Sequence, residues 1–103
     1  MLAVQERLKL EKQFASIADK LQGLLNFNLN TQIIKELILL CTTYNQLSLE
    51  EIQQSETTLT NVLTVIKQNT DLPIEYKKQL LTVITKLKKL VNTLTVNTII
   101  DLI

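Results

Sequence analysis

The chain has 103 residues, 46% of them hydrophobic, and a net charge of +1 from eleven basic and ten acidic side chains. That supplies enough apolar material for a core without disulfides or metals, and too balanced a charge to pull the chain as a whole toward nucleic acid or acidic membrane. Histidine is absent and cysteine occurs once, which removes the commonest general base, the Ser-His and Cys-His nucleophile pairs, the ordinary transition-metal sites and any intramolecular disulfide.

Only Gly23 and Pro73 punctuate the chain. All-β folds and phosphate-cradling loops both lean on glycine, so the chain reads as all-α and no glycine-rich nucleotide loop is possible. With aromatic residues at 4% and no Trp, the core must be built mostly from Leu, Ile and Val. The expected architecture is a single domain, residues 1–103, folded as an antiparallel four-helix bundle. Its helices are placed at about 3–26, 31–46, 48–69 and 72–95 or beyond, with short links that favour up-down-up-down packing.

In the first segment Leu10, Phe14, Ile17, Leu21 and Leu24 recur at steps of four and three, the spacing of one apolar helix face. Gly23 and the cluster Asn26, Asn28, Asn30 then suit a turn, because Asn tolerates left-handed backbone and bonds its own main chain. Asn30 or Thr31 is placed to cap a second helix with the seam Ile33, Leu37, Leu40, Tyr44 and Leu47, broadened by Ile34, Ile38 and Cys41. With apolar residues on so much of its circumference, this helix is expected to be the most buried of the four.

Ser48 and Glu51 form the pattern of a capping box and start a third helix with the seam Ile52, Ser55, Leu59, Val62 and Ile66, flanked by Leu63. Its polar stretch Ser55–Thr58 leaves room for a bend or a late start. Asp71 before Pro73 is expected to cap the last helix, with proline in its first turn. That helix carries the most regular seam, Tyr76, Leu80, Val83, Leu87, Leu90 and Leu94.

No chemistry emerges from these elements. The carboxylates Glu50 and Glu51 sit in a helix's first turn, where capping and the helix dipole explain them. The acidic residues fall mostly outside the seams, so the inward carboxylates of a di-iron bundle are missing. Cys41 follows the apolar run Leu37–Leu40 and reads as a buried thiol behaving like a small hydrophobe. The chain is expected to be no enzyme and to carry no cofactor.

The last helix is basic, with Lys77, Lys78, Lys86, Lys88 and Lys89 and no acidic residue between Glu75 and Asp101. Lys86, Lys88 and Lys89 are candidate phosphate contacts. The third segment carries Glu50, Glu51, Glu56 and Asp71 against one Lys67, and such an acidic helix antiparallel to the basic one can neutralise it within the fold. The basic stretch has neither arginine for bidentate base recognition nor aromatics for stacking, so nucleic acid is not the favoured partner. The longest apolar run, Leu37–Cys41, is far below the roughly 20 residues of a spanning helix, and charges at Glu6, Arg7, Lys9 and Glu11 interrupt the start. The expected location is the cytoplasm, and a membrane-surface role is disfavoured by the Trp-free heptad seam.

The pattern breaks after Leu94. At 100° per residue the seam from Leu80 to Leu94 stays within about 40° of one direction, whereas Val96, Ile99, Ile100 and Ile103 cluster near the opposite one. Val4 and Leu8 stand similarly apart from the first helix's stripe, and antiparallel packing brings both misfits to one end. Two outcomes are open: a break at Thr93–Asn97 folds the tail back over Val4 and Leu8, or the apolar residues stay exposed and meet a partner. The expected function is a protein-binding helical module that self-associates through these six residues. In size and helical outline alone the chain resembles the small bacteriocin immunity proteins of Gram-positive bacteria, which implies a protective role as an alternative. Its richness in Asn, Thr, Ile and Lys fits an AT-rich bacterial or phage genome, in which the remaining alternative is a small nucleic-acid-binding regulator.

Overall fold

The computed structural model describes residues 4–25 and 31–103. Four helices, α1 (Val4–Leu24), α2 (Thr31–Thr43), α3 (Leu49–Gln68) and α4 (Ile74–Leu102), form an elongated bundle of 46 × 22 × 18 Å. A 3-10 turn over Tyr44–Gln46 joins α2 to α3. The proposed turn at Asn26, Asn28 and Asn30 lies outside the described residues.

One core is shared by all four helices. The predicted stripes of α1, α3 and α4 are its substance, with Phe14, Leu21, Leu59, Ile84 and Leu87 wholly inaccessible to solvent. Each such side chain contributes roughly 1.5–3 kcal/mol relative to exposure. The closest helix packing is α3 on α4, then α2 on α1 and α1 on α4, whereas α2 and α3 approach only sparsely. The bundle is therefore a chain of pairs with a loose α2–α3 side.

That looseness corrects the expectation that α2 is the most buried helix. Only Ile34, Leu37 and Cys41 of α2 are buried; Ile33 and Leu40 are half-buried and Leu39 is exposed. The seam is rotated from the one built on Ile33 and Leu40, because α2 has one close neighbour and needs one stripe, not a broad face. Its end is fixed by a stack of Tyr44 on Phe14, with ring centroids 4.1 Å apart and planes 14° from parallel.

The third helix starts as its sequence says. The Glu51 amide donates to Ser48 Oγ at 3.2 Å and the Ser48 amide donates to Glu51 Oε1 at 3.0 Å. It then runs unbroken through Ser55–Thr58, where the Ser55 hydroxyl donates to the Glu51 carbonyl at 2.9 Å. The fourth helix starts differently from the expectation. Pro73 occupies the N-cap position and Asp71 caps nothing, since the preceding turn is organised by Asn69, whose Oδ1 accepts from the amides of Asp71 at 2.7 Å and Leu72 at 3.1 Å.

The tail does not fold back. The fourth helix passes straight through Thr93–Asn97 to Leu102, about 43 Å at 1.5 Å per residue. Of the two open outcomes the break does not occur: Thr93 and Thr95, and Thr98 beyond that stretch, donate to the carbonyls four residues earlier at 3.2, 3.1 and 2.7 Å. With no glycine or proline after Pro73, nothing in the stretch forces a stop.

Candidate interaction surfaces

α1 and α4 run antiparallel. At one end the Tyr76 hydroxyl donates to the Leu24 carbonyl at 3.3 Å; at the other, Glu6 and Asn97 flank the same groove. Val4 and Leu8 thus share an end of the molecule with Val96, Ile99, Ile100 and Ile103. All six are exposed, Val4 by 72%, Val96 by 48% and Ile100 by 58%. They do not form one patch facing the groove between the helices. Neither set lines that groove, and helical geometry puts Val4 and Leu8 roughly 130° around α1 from the groove wall. The stripe of α4 points about 170° away from its own seam, outward from the bundle. Leu39 on α2, Val65 on α3 and Ile74 at the far end of α4 are also exposed, as single apolar side chains commonly are.

The candidate phosphate contacts separate. Lys86 and Lys89 line the α1–α4 groove, but Lys88 does not and is half-buried on another side of the helix. Lys77 is occupied: its Nζ donates to the carbonyls of Lys67 and Asn69, both at 2.8 Å, closing the C-terminal end of α3. Sequence reasoning missed three lysines of α1, Lys9, Lys12 and Lys20, which stand across the groove from Lys86 and Lys89. Their signal was visible as a polar flank beside the seam, but which flank faces α4 depends on how the helices dock.

The expected neutralisation by α3 is also corrected. The ion pair seen among the described residues is Lys78 to Glu75 at 3.8 Å, exposed on both sides, and pairs of this kind add little stability. None of Lys9, Lys12, Lys20, Lys86 and Lys89 has a carboxylate partner among the described residues. Two of the three acids of α3 are engaged elsewhere: Glu51 with Ser48, and Glu56 through Oε1, 2.8 Å from the Thr95 hydroxyl, whose one proton it shares with the Val91 carbonyl. Helix α3 packs on the side of α4 that carries Ile84, Val91 and Thr95, away from the groove lysines.

Burial pushes the Cys41 thiol up to about 12, against a smaller opposing contribution from a backbone hydrogen bond. A thiol so raised and only 3% exposed is no nucleophile at neutral pH. Among the described residues no three His, Cys, Asp or Glu side chains gather as a metal site, and no helix is long and apolar enough to cross a membrane. Comparison with known proteins gives no matching family model, no matching curated protein and no matching solved structure.

Proposed function

We propose that the chain is a non-enzymatic helical interaction protein of the cytoplasm that associates with a second copy of itself through the outward stripe of α4. One observation supports this most: α4 runs on to Leu102, so Val96, Ile99 and Ile100 lie along one helix face, followed by the C-cap Ile103, and all four are exposed. Contiguous apolar side chains left in water are uncommon on monomers, and covering them against the same stripe of a second copy removes them from solvent on both partners at once. A stripe of four residues is smaller than the interface of a permanent complex, so the association is expected to vary with concentration over about the micromolar range.

Light scattering across a dilution series tests the reading. Removing residues 95–103 would also remove the buried Thr95 and its bond to Glu56, so the cleaner variant is the double substitution Val96→Glu with Ile100→Glu, both at exposed positions. The unsubstituted chain should show a native mass that rises with concentration, and the variant should stay monomeric with unchanged helical circular dichroism. A monomeric mass for the unsubstituted chain throughout, or equal masses for both, would overturn the proposal.

A further inference from the structure

The groove between α1 and α4 concentrates charge that the whole chain does not show. Lys9, Lys12, Lys20, Lys78, Lys86 and Lys89 line it, with Glu6 at one end as the one acidic residue of the lining and Lys78, at the other, paired with Glu75 outside it. Six of the eleven basic residues and one of the ten acidic residues are therefore on this track, leaving five basic against nine acidic for everything else. The net charge of +1 hides this segregation. Two stretches, of about 720 and 520 Å³, share Lys20 and Lys86 and so join end to end. From Glu6 to Gly23 the track is about 26 Å long at the helical rise.

The lining decides what kind of polyanion it fits. The apolar floor, Leu10, Ile17, Leu24, Val83 and Leu90, is already more than nine-tenths buried. An acidic amphipathic helix needs apolar anchors in its groove, and this floor has almost no surface left to offer them. A phosphodiester strand needs none, because each nucleotide brings a charge and affinity comes from released counterions. Neutral donors such as Gln13, Ser16 and Asn97 stand between the lysines and can bond phosphate oxygens. With no arginine and no aromatic on the walls, nothing reads or stacks the bases.

We infer that the α1–α4 groove binds the backbone of single-stranded nucleic acid without sequence preference. The track matches about seven phosphates at the 3.4 Å spacing of a stacked strand, fewer when the strand is stretched. A concave path between two neighbouring helices admits a single strand along its length, whereas a rigid duplex touches only its rims. The groove ends at Asn97 and its lining includes none of the stripe, although Val96 and Ile100 follow Lys89 on the same side of α4 by seven and eleven residues; the two proposals rest on separate residues.

Fluorescence anisotropy with a labelled oligothymidylate of about 15 nucleotides tests it. Binding at low salt should weaken with a log–log slope of about −3 to −4, as expected for four to six lysine contacts on a single strand. Lys86→Gln and Lys89→Gln should each reduce that slope by about 0.7 and weaken binding at every sequence tried, while Lys88→Gln should change neither. Glu6→Gln should tighten binding. A neutral version of the self-association variant, Val96→Gln with Ile100→Gln, should bind the strand with the same salt slope, so failure of one proposal is distinguishable from failure of the other. Absence of binding at low salt, an effect of Lys88→Gln equal to that of Lys86→Gln, or tighter capture of a duplex or of a polyglutamate peptide than of the single strand would each overturn the assignment. Circular dichroism of the variants checks that the exposed substitutions leave the helices intact.

Discussion

The two ends of the bundle are built on different terms. At the end where α1 finishes and α4 begins, polar and apolar contacts cross between elements: Tyr76 reaches the Leu24 carbonyl, Lys77 closes α3, Asn69 holds the turn, and Leu72 is buried beneath it. Toward the opposite end the cross-element contacts, Thr95 with Glu56 and Tyr44 on Phe14, stop short of the helix termini, where order is local. The start of α3 is held by its own capping box and the last turns of α4 by their own hydroxyls, while Val4, Leu8 and the α4 stripe remain in water. Cross-element contacts consume surface, and local contacts leave it free. The closed end is a structural closure, and the open end is where the molecule has surface left for a second copy.

Four measurements break or sharpen that contrast. The largest effect is expected at the closed end: Tyr76→Ala removes a nearly inaccessible ring and its bond to Leu24, at a cost of about 3–5 kcal/mol read from urea unfolding. If it costs no more than a change at the open end, the ends do not differ as described. Ser48→Ala should cost about 1 kcal/mol, the usual worth of a helix cap. Its pH dependence is informative. The Ser48 backbone amide and then its side chain hold the Glu51 carboxyl below its ordinary value of 4.5. A lowered folded value means that the stabilisation is present above that ordinary value and is lost as pH falls through the folded one. Glu51→Gln should therefore flatten the acid side of the stability profile below about pH 5, where the intact box declines. An unchanged acid limb would show that the box does not act through the carboxylate. The smallest effect belongs to Ile100→Gln, within about 0.5 kcal/mol when measured at dilutions where the chain is monomeric. A cost several times larger would mean that Ile100 is covered within its own bundle.

Much of the fold was legible because helical seams are a short-range code. Leu10, Phe14, Ile17, Leu21 and Leu24, and the seam from Tyr76 to Leu94, are buried as their spacing requires. The capping box at Ser48 was legible for the same reason, since its partners lie three residues apart. The errors came where neighbours decide. The second helix carries enough apolar residues for a broad core face, yet it packs closely on α1 alone, so Ile33 and Leu40 are half-buried and Leu39 faces solvent. At Thr93–Asn97 the sequence left a break and a continuous helix both open, and packing of Leu94 and Thr95 with the threonine bonds to preceding carbonyls carries the helix through.

The sequence by itself determined that the chain makes four amphipathic helices, which face α1, α3 and α4 bury, and that α4's apolar residues change sides after Leu94. Those properties follow from spacing along one helix and need no knowledge of a partner. Only the tertiary structure decided what lies beside each helix. It set Lys9, Lys12 and Lys20 against Lys86 and Lys89, excluded Lys88, assigned Lys77 to the end of α3, and left the α4 stripe outside. The physical reason is that flanking positions on a helix are equivalent until another helix docks on one side of the seam, and docking is a property of the whole core.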